Sequence, residues 1–419
     1  MYRVMQQVDT TRFDPRVMKQ AVEAVFDRAS EGGPTTMNEQ WKAQRAALVK
    51  KWAWYLSDSI RVGDKVVELR PIPVEMHEML AVLFENQMLA NPEPKTLWEA
   101  TTKSDLSLPA NFSLPIIREV FPQLIMTRIA NIQPMPASSG GVANAFWWKT
   151  YRTDVTPDTQ MIVADSDYSL SGEGQVPKQV KGMLTSTAVT AVTDKLNATW
   201  SQEAQEDLMG VMGLDLGAEM LKTMAQEILQ ELENRVLNEM LSGGTAGNTD
   251  WSDTVGSGYT SVEWYETIYH AFLTAEKLVR TNRYAATNYI VCGLNVATLL
   301  LMGQRWIARE GNEPPEGPLQ SGVRFEGVFR SHWDVWSSPY INADKAFVSI
   351  YPNGLHTGYI WMPYIPLMPM PRVYAQSLPY DNATLPGALT NTDYWNQNIR
   401  TRNGKYMAEP LQFATVTVT

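Results

Sequence analysis

Apolar residues recur every three to four positions between Asp215 and Leu241, and this pattern predicts one long amphipathic helix. Asp215 is a typical N-cap residue, because its carboxylate can accept hydrogen bonds from the free amides of the first turn. The Ser-Gly-Gly run at 242–244 ends the pattern, and a shorter helix from Thr199 precedes a break at Gly213-Leu214. Taken alone, such a helix is typical of an ordinary core helix or a coiled-coil arm. The predicted buried positions at its centre are Met224, Ile228, Leu232 and Val236.

Residues 1–110 are predicted to be helical and loosely jointed. Asp14-Pro15 is typical of a helix start, and Thr36 with Glu39 forms a capping-box pattern for a helix that reaches about Ile60. A further helix is predicted from Val74 to Ala90, followed by a proline-containing linker over 91–110. This region fits an arm that lies over a neighbouring molecule, and it also fits a small helical domain.

The pattern changes to strand-like between Val142 and Ala198. Phe146, Trp147 and Trp148 begin this stretch, and alternating β-branched residues over 185–193 end it. Its middle, residues 154–181, is polar and charged. The stretch predicts a long two-stranded hairpin, which is marginal in water unless it packs on something else. An ordinary hairpin that packs on its own subunit is the alternative.

The C-terminal half combines helices and strands, so the predicted class is α+β. A strand over Tyr289–Cys292 leads into a helix over Leu294–Arg305, and further strands are expected up to the alternating segment Leu411–Thr419. Arg402-Asn403-Gly404 is predicted to be a turn, because Asn-Gly is typical of tight turns.

Length and charge limit the function. A chain of 419 residues is too long for one compact core, so two or three domain-like units are expected. The net charge of -10 argues against a dedicated nucleic-acid binder, although a wall that only encloses nucleic acid is compatible with it. The single cysteine excludes an intrachain disulfide and fits folding in a reducing cytoplasm. No apolar run of signal or membrane length is found, so a soluble protein without membrane contact is expected.

Residues with catalytic or metal-binding chemistry are present but are not arranged in motifs. The four histidines form no metal-binding pattern, and Cys292 lies in an apolar strand, where a buried inert thiol is expected. Carboxylates such as Asp207, Glu227 and Glu231, with 14 tryptophans, could serve a carbohydrate-active enzyme. Tryptophans are also enriched at protein interfaces. We therefore predict no catalytic residue, no metal and no cofactor.

Several local motifs occur in an order that resembles a known family. Residues 132–135 (Ile-Gln-Pro-Met) precede a Ser-Gly-Gly turn, and 206–208 (Glu-Asp-Leu) precede Gly-Leu-Asp at 213–215. An apolar, proline-containing segment at 363–367 and a basic segment at 400–404 follow. This order resembles the major capsid proteins of tailed bacteriophages with the Hong Kong 97-type fold, and among them the T-even branch. T-even proteins carry a domain inserted in the hairpin, for which this hairpin is too short.

The resemblance implies a division of the chain into the segments of that fold. These are an N-terminal helical arm over 1–110, a first part of the peripheral domain over 111–141, an E-loop hairpin over 142–198, the peripheral domain with its long spine helix over 199–258, an axial α/β domain over 259–375, and a return to the peripheral domain over 376–419.

The resemblance also implies that copies of the chain form an icosahedral shell around double-stranded DNA, without sequence-specific binding. The shell would consist of hexamers, with pentamers as a second state, and its partners would be portal, scaffold and decoration proteins. Virions would contain the protein after its assembly in the host bacterial cytoplasm. Charged residues at the E-loop tip are predicted to contact a neighbouring subunit: Asp154, Asp158, Asp165, Asp167, Glu173, Lys178 and Lys181. An encapsulin-like compartment, a capsid vertex protein and a carbohydrate-active enzyme are the alternatives.

Overall fold

A computed structural model describes most of the chain. It describes residues 35–57, 59–62, 65–68, 71–90, 118, 121, 124–136, 139–152, 180–212, 215–283, 285–302, 306–307, 322–330, 332–353, 356–369, 373–375 and 394–419. The helix predicted at Asp14-Pro15 and the linker over 91–110 lie outside these residues.

Two N-terminal helices pack into the main hydrophobic core. Helix α1 (Thr35–Leu56) and helix α2 (His77–Ala90) are separated by a short hairpin of β1 (Ser59–Val62) and β2 (Lys65–Glu68). Leu56 of α1 and Phe84 of α2 are fully buried in one cluster with Trp361. The apolar faces of these two helices are therefore covered by their own subunit, and the division of 1–110 as an arm stays a prediction. Periodicity located both helices but could not tell what covers them.

The central element is the long helix predicted from the sequence. After the two-residue strand β3 (Asn131–Ile132), the hairpin strands and β6 (Val192–Ser201), helix α4 (Gln202–Met212) leads to α5 (Leu216–Gly243). A single-turn helix, α3 (Met126–Ile129), lies before β3. The side chain of Asp215 caps α5 by accepting a hydrogen bond from the Gly217 amide at 3.0 Å. Helix α5 then crosses the main core.

A five-stranded sheet packs beside α5. Strand β13 (Tyr359–Pro369) pairs with β3 and with β15 (Tyr394–Met407), which in turn pairs with β14 (Val373–Ala375) and β6. Register shifts in β13 occur between Pro363 and Ile365 and between Ile365 and Met368. Prolines are tolerated at such irregularities because no ladder donor is required there.

The predicted turn at Arg402-Asn403-Gly404 is wrong, because these residues lie within β15. Gly404 faces Met362 of β13, and a Cβ atom on Gly404 would stand 2.3 Å from the Met135 side chain. Such a Cβ atom would also stand 2.9 Å from Val189 Cγ1, so the glycine leaves room for the Met135 and Val189 side chains over β15. A sequence pattern typical of turns cannot reveal such a contact.

A seven-stranded sheet forms the second half of the subunit, in the order β7-β16-β12-β8-β11-β10-β9. Its strands are β7 (Gly247–Trp251), β8 (Tyr289–Cys292), β9 (Trp306–Ile307), β10 (Arg324–Phe329), β11 (Trp333–Ser337), β12 (Lys345–Ser349) and β16 (Ala414–Val418). The helices of this half are α6 (Ser261–Glu266), α7 (Ile268–Arg283) and α8 (Leu294–Met302). Phe272 of α7 packs with Ile290 and Val348 in a second buried cluster.

Strand pairing places three strands outside the domain limits predicted for them. Strand β7 was assigned to 199–258 and β16 to the return over 376–419, yet both belong to the seven-stranded sheet. Strand β13, assigned to the axial segment 259–375, belongs to the five-stranded sheet. The two sheets meet where β15 gives way to β16, and there the buried Arg283 of α7 forms an ion pair with the buried Glu409.

Candidate inter-subunit interface

The hairpin predicted from the sequence is formed by β4 (Val142–Arg152) and β5 (Val180–Thr190). The two strands are antiparallel, with a continuous register from Val142 opposite Thr190 to Arg152 opposite Val180. Residues 192–198, predicted to be part of the same hairpin, lie in β6 and pair with β15. The hairpin over the described residues is therefore shorter at its C-terminal end than the predicted E-loop.

One face of the hairpin packs against the subunit body. Ala145, Trp147 and Val189 are buried in a small cluster with Ile360 and Met362 of β13. The ring centroid of Trp147 is 5.2 Å from that of Tyr406 in β15. This inner face explains how the base of the hairpin is held on its own subunit.

The opposite face is apolar and exposed. Alternation along a strand turns the neighbours of Trp147 outward, so Phe146 and Trp148 remain 36% and 37% exposed, and Leu184 opposite Trp148 is 42% exposed. Gly182 lies beneath Trp148, where a Cβ atom would stand only 2.0 Å from the indole ring. We call this surface the outer hairpin face; it consists of Val142, Phe146, Trp148 and Leu184.

A single side chain joins the hairpin edge to the segment after β3. The Gln133 amide Nε2 donates to the Phe146 carbonyl at 2.6 Å, and its Oε1 accepts from the Phe146 amide at 2.9 Å. The Gln133 side chain thus takes the place of one residue of a neighbouring strand. In an antiparallel pair, backbone groups alternate between the partner strand and the free edge. The backbone groups of Trp148 and Thr150 therefore point to the same edge as those of Phe146.

The charged residues predicted at the E-loop tip fall almost entirely outside the described residues. Asp154, Asp158, Asp165, Asp167, Glu173 and Lys178 lie within 153–179, and Lys181 lies in β5 opposite Tyr151. The apolar outer hairpin face was missed by sequence reasoning. The signal was present in Phe146-Trp147-Trp148, because consecutive aromatic residues in a strand must point to both faces.

The four residues predicted at the centre of the spine helix all lie in the main core. Met224, Ile228, Leu232 and Val236 are each at most 5% exposed. The polar residue Glu233 is also fully buried in α5, where its carboxylate accepts a hydrogen bond from the Ile125 amide at 2.7 Å. Arg235 extends from α5 to Asp194 of β6 at 2.8 Å. These contacts hold the helix against both the α3 segment and the five-stranded sheet.

Two titratable residues singled out in the sequence, Cys292 and His356, pack within the fold. Cys292 is buried, which raises the pKa of its thiol well above the ordinary range, and its Sγ donates to the Trp336 carbonyl. Burial, and then the nearby Arg283 guanidinium, lowers the pKa of His356. Among the described residues there is no group of three or more His, Cys, Asp or Glu that could hold a metal ion. In the same part of the chain, no helix has the length and apolarity needed to cross a membrane.

Residues 141–380 match the family model described as Major capsid protein Gp23. This match spans more than half of the chain, so the chain belongs to the family of Gp23 major capsid proteins. The predicted resemblance to bacteriophage major capsid proteins, and among them to the T-even branch, is confirmed, as is the α+β class of the described residues. The same match favours a capsid protein over the compartment, vertex and carbohydrate-active alternatives.

Individual relatives agree with the family. The chain is 24% identical over 201 residues to the major capsid protein of Vibrio phage KVP40, covering 43% of this chain and 39% of the relative. It is 26% identical over 191 residues to that of Serratia phage KSP90, covering 43% of each chain. For Enterobacteria phage T4 the identity is 23%, with 43% and 39% covered. The matched segments thus span less than half of the length of these curated relatives.

Solved phage structures resemble the chain more distantly. A protein of Mycobacterium phage Adephagia is 11% identical, with 71% of this chain and 90% of that chain covered at a TM-score of 0.41. The capsid of Myoviridae phage XM1 is 10% identical, with 67% and 85% covered at a TM-score of 0.37.

Proposed function

We propose that copies of this chain assemble into the icosahedral shell of a tailed bacteriophage and enclose its double-stranded DNA. The building units are hexamers, with pentamers as a second state, and assembly takes place in the host bacterial cytoplasm. Portal, scaffold and decoration proteins are further proposed partners. The DNA contact needs no sequence-specific site, which agrees with the net charge of -10.

The outer hairpin face is the observation that carries the proposal. Large apolar side chains on a projecting two-stranded hairpin are unfavourable in water, and burying them contributes roughly 25 cal/mol per Å² of apolar surface. Contiguous exposed apolar surface of this kind marks protein interaction sites. A second copy of the chain that covers Phe146, Trp148 and Leu184 would remove this surface from water.

The free edge of β4 also supports the proposed contact with a second copy of the chain. In the described part of the chain, β4 has no strand partner other than β5. Beyond the Gln133 contact at Phe146, the outward backbone groups of Trp148 and Thr150 remain available to a neighbouring strand. Unpaired edges of this kind are the surfaces on which another chain adds.

The proposal is tested by the double variant Trp148→Thr/Leu184→Thr. Both side chains are exposed in the subunit, so we expect a cooperatively folded protein that no longer forms shells in negative-stain microscopy. Trp147→Thr, one residue away on the inner face, is the matched control, because it removes buried surface and should lower the melting temperature of the subunit. Val255→Thr alters an exposed apolar residue away from the hairpin and should leave both folding and assembly unchanged. Shells formed by the double variant at the parental yield would contradict the proposal.

The charged tip is proposed as a second part of the same contact. Five acidic residues, Asp154, Asp158, Asp165, Asp167 and Glu173, outnumber Lys178 and Lys181 between 154 and 181, so the two lysines are the only cations that this stretch offers to a neighbour. Lys178→Glu/Lys181→Glu should weaken assembly most at low salt, because salt screens exposed charges. Lys277→Glu on the exposed side of α7 is the control. If the two variants assembled equally at every salt concentration, the tip would not be part of the interface.

A further inference from the structure

The two faces of the five-stranded sheet differ in what covers them. On one face, Ala198, Trp200 and Ile399 pack in the main core together with α5. On the other face, the base of the hairpin covers the C-terminal half of β15, where Trp147 contacts Tyr406. The alternate residues of β6 and of the N-terminal half of β15 are exposed or partly exposed on this side. We call this surface the basic sheet face; it consists of Thr193, Lys195, Asn197, Asn398, Arg400 and Arg402.

All charged side chains on the basic sheet face are positive. Lys195 of β6 stands directly opposite Arg400 of β15, and Arg402 follows two residues later on the same face. The one carboxylate in the strands of this sheet, Asp194, points to the opposite face and pairs with Arg235 of α5 at 2.8 Å. Like charges directly opposite one another destabilise an antiparallel pair. On a chain with a net charge of -10, this local excess of cations therefore indicates an anionic ligand.

The two guanidinium groups have no strong acceptor among the residues that the structure describes. Arg400 donates from Nε and from one terminal nitrogen to the sulfur of Met368, at 3.3 and 3.0 Å, and a thioether is a weak acceptor. The Nε of Arg402 is buried and has no hydrogen-bond acceptor in the same part of the chain. Its guanidinium lies 5.2 Å from the ring centroid of Tyr364. Guanidinium groups bind phosphate and carboxylate oxygens through charge-assisted hydrogen bonds, which are about twice as strong as neutral ones.

The spacing of the three cations favours a row of phosphate groups as the ligand. Arg400 and Arg402 are two residues apart along β15, which is roughly 6.7 Å, and Lys195 is one strand away, about 5 Å from Arg400. Duplex DNA carries one charge per roughly 1.7 Å of its axis, so it can contact all three cations at once, whereas a single carboxylate would neutralise one. The flanking threonine and asparagine side chains are also of the types that bond to phosphate oxygens.

We propose that the basic sheet face binds the phosphodiester backbone of DNA without reading its sequence. The inference rests on the proposed enclosure of DNA and names the surface of each subunit that contacts it. Three phosphate contacts give only weak binding to one subunit, with an affinity that falls with salt at a log–log slope of roughly -2.7. Many copies on one DNA molecule add their contacts, so a shell binds far more tightly than a single subunit. The negative charge elsewhere on the chain repels DNA and confines the contact to this face.

Charge reversal at Lys195 tests the inference. Anisotropy of a fluorescent duplex DNA of mixed sequence measures its binding to the purified full chain at several salt concentrations. Lys195→Glu should weaken binding about tenfold or more at low salt and make the salt slope shallower by about 1, because one phosphate contact is lost. Lys195→Gln removes only the charge and should show the same change of slope with a smaller loss of affinity. Lys277→Glu is the matched control, since it makes the same charge change at an exposed lysine of α7 and should leave the slope unchanged. Melting curves report the folding of each variant.

Equal losses in Lys195→Glu and Lys277→Glu would mean that binding follows the net charge alone and would overturn the inference. A parental chain that binds a peptide of residues 154–173 but not the duplex would also overturn it, because the face would then receive the acidic hairpin tip of a second copy. Negative-stain microscopy of the same preparations separates the two proposals. Shells that bind no DNA would overturn the basic sheet face alone. DNA binding that is lost in Lys195→Glu, without shells from the parent, would support the face and overturn the proposed function.

Discussion

The side-chain amide of Gln133 bonds to the backbone of Phe146 in both directions, with its Nε2 donating at 2.6 Å and its Oε1 accepting at 2.9 Å. At Phe146, within β4, the edge of the hairpin is thus paired by a side chain rather than by a strand. The contact holds the amide and carbonyl groups of Phe146 at the free edge of the hairpin. It therefore connects the Ile-Gln-Pro-Met motif of the sequence with the position of the outer hairpin face.

Replacing Gln133 with alanine is expected to loosen the hairpin without unfolding the subunit. Each hydrogen bond contributes about 0.5–1.5 kcal/mol net, so the global melting temperature should change little. Amide exchange over residues 142–152 should become faster, while exchange in α7 stays at the parental rate. Gln205→Ala, which removes an acceptor for the Trp200 indole far from the hairpin, is the control. Equal protection of 142–152 in the parent and in Gln133→Ala would show that the contact does not hold the hairpin.

A charge in the buried stripe of α5 is expected to prevent folding. Ile228 is 5% exposed and lies in the main core, so Ile228→Lys would place an ammonium group there at a cost on the order of several kcal/mol. Thr223→Lys adds the same group on the exposed side of the helix and serves as the control. The soluble yield and the melting temperature should fall only for Ile228→Lys. Similar melting of the two variants would contradict the assigned buried face.

The ion pair between Arg283 and Glu409 is expected to hold the two sheets together at their junction. Both side chains are nearly inaccessible, so Arg283→Met would leave a buried carboxylate without its guanidinium, at about 3–5 kcal/mol. The double variant Arg283→Met/Glu409→Leu should recover most of that loss, because neither charge then needs to be buried. Denaturant unfolding of the parent, both single variants and the double variant measures the coupling. If Arg283→Met had the parental free energy of unfolding, the ion pair would not hold the two sheets together.

His356 is expected to make the subunit less stable in acid. Burial and the Arg283 guanidinium lower its folded pKa, so the unfolded chain takes up the proton first as the pH falls from about 6.5. The contribution of His356 is thus present above that pH and is lost as the pH falls through the folded pKa. His356→Gln should flatten the decline in melting temperature between pH 7 and pH 5, with the pH 8 values as the reference. An identical decline in the variant would assign the acid sensitivity to other groups.

Elements with local signals could be predicted from the sequence alone. Helix α5 begins after Asp215 because a capping carboxylate and an apolar stripe lie within the same few turns. Strand β8 was predicted with its observed ends, since a short apolar run stands between polar neighbours. The positions of the buried spine residues follow from the same periodicity. The motifs that carry the family resemblance were also visible without a structure.

Strand pairing and the covering of each face could not be predicted from the sequence, because both depend on the three-dimensional fold. Strand β16 joins β12 and β7, which are far from it in the sequence, and no local pattern specifies such a partner. The Asn-Gly pair at 403–404 has a turn signature, yet it lies inside β15, where the side chains of Met135 and Val189 pack close to Gly404. Trp147 and Trp148 lie on opposite faces of β4, and the body covers only Trp147, which the sequence analysis did not predict. Covering a face depends on contacts between distant segments, and for that reason the packing of the fold was required to reveal the outer hairpin face.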